Sequence, residues 1–186
     1  MKKFKILIDM DDTITHLLPA WVSELNKTHN LQVEHSDICD WDMRLFYPTL
    51  SLSQIYEPLF DDNFWDNIEP ISGAQKSIKK LIDDGHEIYI VTATHYAIAK
   101  AKFEKVLFKY FPFVSTPHII TTTNKQMIKG DILIDDAPHN VIGGDYLGFL
   151  MNAPHNQGFD AESNGVIRVY NWEEIYKLIN NLSFKQ

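Results

Sequence analysis

Two carboxylates follow directly on an apolar segment near the start of the sequence, at a spacing that suits nucleophilic and acid–base chemistry. The segment from Phe4 to Ile8 is typical of a buried strand, and Asp9 and Asp11 come next. Because an unpaired carboxylate is costly to bury, we expect the chain to leave the core at Asp9 and to present both carboxylates at an edge. Such carboxylates can attack an electrophile, move protons or bind a metal ion.

Two later apolar segments end in the same way. Residues 88–91 are followed by Thr92, and residues 132–134 are followed by Asp135 and Asp136. Each feature alone also has a structural interpretation, since Asp and Thr at strand ends often bond to the local backbone. Ligands of an open parallel α/β sheet bind outside the carboxyl ends of its strands. The combination therefore favours one site that collects all of these side chains.

The chemistry of the carboxylates predicts a metal ion. They supply only oxygen, which favours Mg²⁺ over Zn²⁺. A protein-bound Mg²⁺ keeps several waters and is commonly bound through one or two carboxylates plus a substrate phosphate. The sequence therefore predicts Mg²⁺ as cofactor and a phosphorylated small molecule as ligand.

Two functions use this set of residues. In an enzyme, Asp9 attacks phosphorus, Asp11 protonates the leaving oxygen and later activates water, and Thr92 and Lys125 bind the phosphoryl oxygens. In a receiver-like signalling module, the same residue types form a phosphoacceptor site that does not turn over. The order Asp-x-Asp, Thr, Lys, Asp-Asp and a long segment after the first strand favour the enzyme.

The elements that position these residues alternate along the chain. Alternation of strands with helices predicts an α/β protein with a mainly parallel sheet and helices on both faces. The predicted strands are 4–8, 87–91, 118–121 and 131–134, with short edge strands at 149–152 and 166–169. The predicted helices are 15–30, 53–60, 74–84, 96–111 and 173–182.

Residues 31–70 differ from the rest in being rich in aromatic and acidic side chains. We interpret 17–70 as a small helical cap inserted after the first strand, with 1–16 and 71–186 forming the catalytic core. The alternative is a long crossover connection that packs on the same core.

Composition excludes several classes of function. The formal net charge of −8 argues against a nucleic acid polymer as partner. No apolar run approaches the roughly 18 residues of a membrane span, and no secretory apolar region precedes Asp9. The single cysteine, Cys39, has no intrachain partner, which fits a reducing compartment. We expect a cytoplasmic protein that does not bind membranes.

The motifs resemble those of the haloacid dehalogenase-like phosphatases. Asp9-Met10-Asp11-Asp12-Thr13 is similar to their first motif, DxDxT, and Thr92, Lys125 and Leu133-Ile134-Asp135-Asp136 are similar to the second, third and fourth. The resemblance covers about residues 4–140 in the expected order. It implies a Rossmann-like three-layer α/β/α core with a cap inserted after the first strand.

A narrower resemblance is to the 5′(3′)-deoxyribonucleotidases. It depends on Asp9-Met10-Asp11, on the stretch from Phe64-Trp65 to Ile68-Glu69-Pro70-Ile71-Ser72-Gly73-Ala74, and on Asn124-Lys125 leading to Gly130-Asp131-Ile132-Leu133-Ile134-Asp135-Asp136. The resemblance implies an Mg²⁺-dependent phosphatase that hydrolyses deoxyribonucleoside 5′(3′)-monophosphates. Another small phosphorylated metabolite is the alternative substrate.

The resemblance also assigns roles to individual residues. It implies that Asp9 is the nucleophile and Asp11 the proton donor. The metal ion would be bound by the Asp9 carboxylate, the Asp11 backbone carbonyl and Asp136, with Asp135 in support. Thr92 and Lys125 would bind the phosphate.

The expected substrate contacts in the cap are Trp41 and Tyr56, which lie about where the family has aromatic contacts. Three positions depart from the pattern of the family. Leu17 and Ala93 stand where the animal members have a base-stacking Phe and a Ser, and Asp12 occupies a position often held by Gly. These departures leave the choice of base and sugar open. Members of the family are often homodimers, which is the assembly that the resemblance implies.

Overall fold

The computed structural model describes residues 2–184, in which six strands form one parallel sheet. The strands are β1 (Lys5–Ile8), β2 (Glu87–Thr92), β3 (Ile119–Thr121), β4 (Ile132–Asp135), β5 (Leu147–Met151) and β6 (Ile167–Val169). Their spatial order is β3-β2-β1-β4-β5-β6. The predicted α/β fold class is confirmed, and β1, which leads to the Asp-x-Asp motif, lies between β2 and β4.

The prediction that β5 is an edge strand was wrong. β5 pairs with β4 on one side and with β6 on the other, so β6 is the edge strand of this pair. Four of its five residues are buried, as expected of a strand covered on both faces. The sequence of a short apolar strand carries no information on how many neighbours it has.

The α-helices of the described residues are α1 (Leu17–His29), α2 (Leu52–Tyr56), α3 (Ala74–Asp83), α4 (Tyr96–Lys102), α5 (Phe108–Tyr110), α6 (Pro138–Val141) and α7 (Trp172–Phe184). Each of them overlaps a predicted helix, except α6, which was not predicted. Short 3₁₀ turns occur at His35–Asp37, Met43–Leu45, Glu57–Phe60, Asp62–Asn67, Thr116–His118, Lys125–Met127 and Pro154–Asn156. Among residues 2–184, no helix has the length and apolar character needed to cross a membrane.

The predicted helix 96–111 is continuous but irregular. A π-helical turn, Phe103–Leu107, separates α4 from α5. Such single π turns arise frequently at functional sites because they change which side chains face the core. The turn starts directly after Lys102, a fully buried lysine.

The two faces of the sheet are covered differently. Ile6 and Ile8 of β1 belong to the large core cluster that includes buried residues of α3, α4 and α7. Leu7, between them, belongs to a smaller cluster covered by Ile128 and Tyr146, which lie in loops. The face that carries the Leu7 side chain is therefore covered by short turns, by loops and by the short helix α6 at Gly148, and one of those turns carries Lys125.

The segment between β1 and α3 begins and ends at two stretches of backbone, 14–16 and 69–71, that are hydrogen-bonded to each other. The His16 N–H donates to the Glu69 carbonyl at 2.9 Å, and the Ile71 N–H donates to the Ile14 carbonyl at 2.9 Å. Apolar side chains within the segment belong to the same core cluster as the sheet. The segment contains α1, α2 and several 3₁₀ turns. Both of its ends meet the core at one place, and its apolar side chains pack against the core.

Gly148 of β5 permits the close approach of α6, which carries Asn140 beside the predicted site. An ideal Cβ at this position would lie 2.2 Å from the carbonyl oxygen of Val141. Backbone cannot yield as a flexible side chain does, so only glycine fits here.

We therefore predict that Gly148→Ala lowers the free energy of unfolding by about 1–3 kcal/mol or more, because α6 must move away from the sheet. Gly158→Ala is the matched control, since an ideal Cβ at that position would have nothing within 4 Å of it. The free energy of unfolding of the control is expected to lie within about 0.5 kcal/mol of that of the parent. Urea denaturation of both variants measures the difference, and equal values would contradict the packing argument.

Candidate active site

The register of the sheet brings the first and fourth motifs together. Ile8 of β1 aligns with Ile134 of β4, so the next residues, Asp9 and Asp135, stand side by side. The Asp9 N–H donates to the Ile134 carbonyl at 2.9 Å, which continues the ladder by one bond beyond β1. Both carboxylates are thereby fixed at the carboxyl edge of the sheet, as predicted.

Lys125 lies between these two carboxylates. Its Nζ donates to Oδ1 of Asp9 and, at 2.6 Å, to Oδ2 of Asp135. The lysine is only 2% exposed. Burial lowers the pKa of Lys125, but the two carboxylates outweigh this effect and hold its pKa above the ordinary value. Lys125 is therefore a fixed positive charge inside the site.

Asp135 has donors on both of its oxygens. Besides Lys125, the Ala137 N–H donates to Oδ1 at 2.9 Å. The Asn140 side-chain amide lies 3.2 Å from Oδ1 and 3.1 Å from Oδ2. Because both oxygens of Asp135 accept hydrogen bonds, this carboxylate holds the side chains of Lys125 and Asn140 in place. This arrangement fits the prediction that Asp135 supports the site from beside it.

Asp136 has fewer partners on its carboxylate. Nε2 of His155 lies 2.8 Å from Oδ2, the distance of an ion pair, although the angle of this contact is not that of a regular hydrogen bond. The Thr13 hydroxyl lies 3.5 Å from Oδ1, at the limit of hydrogen bonding. No pattern in the sequence singled out His155, because the residue lies in a loop without periodicity and away from Asp136 in the chain.

Asp11 faces a different lysine, which sequence analysis also missed. Nζ of Lys102 lies 2.5 Å from Oδ2 of Asp11, 2.9 Å from the Thr92 hydroxyl and 3.3 Å from the Ala93 carbonyl. Thr92 is fully buried, and its hydroxyl accepts the bond from Lys102. A usable signal existed, since Lys102 is four residues after Ile98 on the apolar face of its helix.

The second oxygen of Asp11, Oδ1, is buried without a hydrogen-bond partner among the described residues. Burial raises the pKa of the Asp11 carboxyl, Lys102 opposes the shift, and the nearby Asp9 adds to it. Buried polar atoms without a partner are uncommon in proteins, so this oxygen marks Asp11 as a candidate for a functional role.

The carboxylates outnumber the buried cations at this site. Burial, followed by repulsion from Asp9, raises the pKa of Asp135 to about 7, and burial also raises the pKa of Asp136. One oxygen each of Asp9, Asp135 and Asp136 lie within 4.8 Å of one another. Three buried oxygen donors with excess negative charge fit a hard divalent cation, so a metal ion suits this position.

A cleft of about 330 Å³ opens above the strand ends. Its walls include residues from the core and from the segment between β1 and α3. Among the sequence-predicted contacts, Trp41 and Tyr56 both line it and are 50% and 41% exposed. All three departing positions, Asp12, Leu17 and Ala93, line it as well.

Asp12, the third departing position, has a structural role. Its backbone φ is +50°, in the left-handed region, and both carboxylate oxygens accept from the Leu18 N–H at 3.0 and 3.1 Å. His16, which precedes α1, makes no side-chain cap. Asp12 therefore satisfies a free N–H at the start of α1.

We predict that Asp12→Ala lowers the free energy of unfolding by about 0.5–2 kcal/mol, because the helix loses its acceptor. Asp12→Asn is the matched variant, because asparagine tolerates a positive φ and keeps an oxygen acceptor. Its free energy of unfolding is expected to fall by less than half as much as that of Asp12→Ala. Chemical denaturation of the two proteins tests this. An equal loss in both would contradict the capping role.

Comparisons with known proteins agree with this architecture. The solved structure of a haloacid dehalogenase-like hydrolase from Streptococcus pneumoniae superposes with a TM-score of 0.67 at 12% identity, covering 95% of this chain and 98% of that chain. A hydrolase of the same superfamily from Deinococcus radiodurans superposes with a TM-score of 0.65 at 11% identity, covering 96% of each chain. These similarities show the haloacid dehalogenase-like fold.

Sequence comparisons are more specific. A 5′(3′)-deoxyribonucleotidase from Bacillus subtilis is 37% identical over 177 residues, 94% of this chain and 97% of the relative. A 5′(3′)-deoxyribonucleotidase from Clostridium acetobutylicum is 32% identical over 182 residues, 98% of each chain. The profile of the family described as 5′ nucleotidase, deoxy (Pyrimidine), cytosolic type C protein matches residues 3–186. The resemblance found in the motifs is confirmed, and the chain belongs to this 5′ nucleotidase family of haloacid dehalogenase-like hydrolases.

Proposed function

We propose that this phosphatase removes the phosphate of deoxyribonucleoside 5′(3′)-monophosphates, with Mg²⁺ as cofactor and through a phosphorylated Asp9. Named relatives that cover most of the chain support the substrate class. The mechanism depends on the different environments of the two acids. Asp9 forms an ion pair with Lys125, whereas one buried oxygen of Asp11 has no hydrogen-bond partner among the described residues. The hydrolase relatives argue against the receiver-like alternative.

The proposed reaction has two steps. An oxygen of Asp9 attacks phosphorus, and the bond from phosphorus to the ester oxygen breaks as Asp11 transfers a proton to that oxygen. Water then attacks the phosphorus of the aspartyl-phosphate, Asp11 takes a proton from the water, and phosphate leaves with Asp9 restored. The raised pKa of Asp11 favours the protonated form that the first step requires.

Positive charge in the site would stabilise the phosphoryl oxygens. Lys125 and Thr92 are the proposed phosphate contacts, and Lys102 adds a second buried ammonium group beside Thr92. The Asp9 carboxylate, the Asp11 carbonyl and Asp136 would hold Mg²⁺. When bound, Mg²⁺ supplies Lewis-acid stabilisation of the negative charge on the phosphate.

The nucleoside would occupy the cleft beneath residues 17–70, which we propose as a cap. The cleft volume of about 330 Å³ lies within the range of small-molecule sites. Trp41 and Tyr56 offer aromatic faces there, and stacking on a base contributes roughly 1–3 kcal/mol. The pairing of Ile14–His16 with Glu69–Ile71 joins the two ends of this segment beside each other at the core.

We predict that Asp9→Asn lowers turnover by at least about 10³-fold, because an amide cannot attack phosphorus. Turnover of p-nitrophenyl phosphate and of a deoxynucleotide with Mg²⁺ measures the loss, and circular dichroism checks the fold. Asp83→Asn, an exposed change on α3, is the control and is expected to keep full activity. Substantial activity in folded Asp9→Asn would overturn the mechanism.

Chelation and a substrate panel test the cofactor and the substrate class. We expect chelator to abolish turnover and added Mg²⁺ to restore it, since the carboxylates of the site otherwise repel a phosphate. With Mg²⁺, kcat/KM on deoxynucleotides is expected to exceed that on sugar phosphates by at least about tenfold. Equal values on both classes would refute the deoxynucleotide assignment and favour another phosphorylated metabolite.

A further inference from the structure

His155 is a buried histidine that no motif singles out, and it contacts two parts of the site. It lies in the 3₁₀ turn Pro154–Asn156 after β5, and its side chain is 2% exposed. One contact is polar and reaches the carboxylate of Asp136. The other is aromatic and reaches Trp41 in the segment 17–70.

The polar contact acts on a carboxylate that has few other partners. Nε2 of His155 lies 2.8 Å from Oδ2 of Asp136, whereas the contact of Thr13 with Oδ1 is as long as 3.5 Å. The imidazole lowers the pKa of Asp136 against the larger, opposite effect of burial. A contact at Oδ2 leaves Oδ1 as the oxygen available to a cation. The His155 contact is the closer of these two side-chain contacts to the Asp136 carboxylate.

The turn that carries His155 is itself firmly attached. The side-chain amide of Asn156 donates to the Asp136 carbonyl at 2.8 Å and to the Met151 carbonyl at 2.7 Å. Arg168 of β6 donates to the side-chain oxygen of Asn156 at 2.7 Å and to its backbone carbonyl at 3.0 Å. Because the residue next to His155 is braced in this way, the imidazole is held in place relative to Asp136.

The aromatic contact joins the same imidazole to the cleft wall. The ring centroids of His155 and Trp41 are 4.2 Å apart with planes inclined by 50°. His139 also approaches Trp41, but more distantly, with centroids 6.4 Å apart. Trp41 is half exposed, so the packing of His155 against it limits the orientations of the indole.

We propose that His155 is a positioning residue with two separable effects: its Nε2 orients Asp136 for Mg²⁺, and its ring orients Trp41 for the nucleoside. The proposal rests on the proposed function. Partners that orient metal-binding carboxylates typically change metal affinity by 10–100-fold when removed. His155 would thus link the metal position to the segment that covers the substrate.

Two substitutions separate the effects. His155→Phe keeps a ring against Trp41 but has no polar atom to contact Asp136, so its Mg²⁺ affinity is expected to fall about 10–100-fold. Its KM for a deoxynucleotide at saturating Mg²⁺ is expected to stay within about threefold of the parent. His155→Gln keeps an N–H at the distance of Nε2 but lacks the ring. Its Mg²⁺ affinity is expected within about threefold of the parent, with KM raised about 3–10-fold as ordering of Trp41 is lost.

Calorimetric titration of each protein with MgCl₂ alone measures affinity without relying on activity, and steady-state kinetics at saturating Mg²⁺ give KM. His139→Gln is the control, because it removes an imidazole near Trp41 that makes no hydrogen bond or ion pair with Asp136. Its Mg²⁺ affinity is expected to equal that of the parent. Thermal unfolding verifies that the variants fold, and His155→Met, which also lacks a donor, replaces His155→Phe if the larger ring destabilises the protein.

The outcomes distinguish this inference from the proposed function. A parent protein that binds Mg²⁺ and hydrolyses deoxynucleotides, with His155→Phe binding Mg²⁺ equally tightly, overturns the positioning role alone. Equal losses of Mg²⁺ affinity in the Phe and Gln variants also overturn it, since a general structural effect would act on both. A parent that does not bind Mg²⁺ overturns both the inference and the cofactor assignment.

Discussion

Carboxylates at the ends of neighbouring parallel strands repel one another, and here the repulsion falls between β1 and β4, where Asp9 and Asp135 stand side by side. Burial strengthens the effect, because little water screens the two charges. Lys125 lies between them and bonds to both. This ammonium group offsets the repulsion between the two buried carboxylates, so the rest of the site depends on the position of Lys125.

Each remaining group of the site reaches the strand ends from a different element. Lys102 comes from the last position of α4, directly before a π-helical turn, and bonds to Asp11 and Thr92. His155 comes from the turn after β5 and contacts Asp136. The two acids of the Asp-x-Asp motif therefore have separate lysines, and this separation permits the different roles that we propose for them.

The sequence predicted much of the fold, since alternating strands and helices and three strands that end in polar groups are local patterns. Within the site it singled out Lys125 as a phosphate contact, and the structure places that residue between Asp9 and Asp135. It assigned β5 to an edge, because a short apolar strand does not encode its neighbours. It left Asp12 without a role, because capping of α1 depends on a backbone turn that returns the side chain to Leu18.

The sequence by itself determined where an apolar strand ends in carboxylates, since Asp9 and Asp11 cannot be buried without partners. The expectation that the chain leaves the core at Asp9 was wrong, because Met10 and Ile14 are fully buried in the main core cluster. Only the tertiary structure decided which cations those carboxylates meet. Lys102 and Asp11 are 91 residues apart in the chain, and Lys125 and Asp9 are 116 residues apart. Burial preferences act on each residue and its near neighbours, whereas charge pairing depends on distances that packing alone sets.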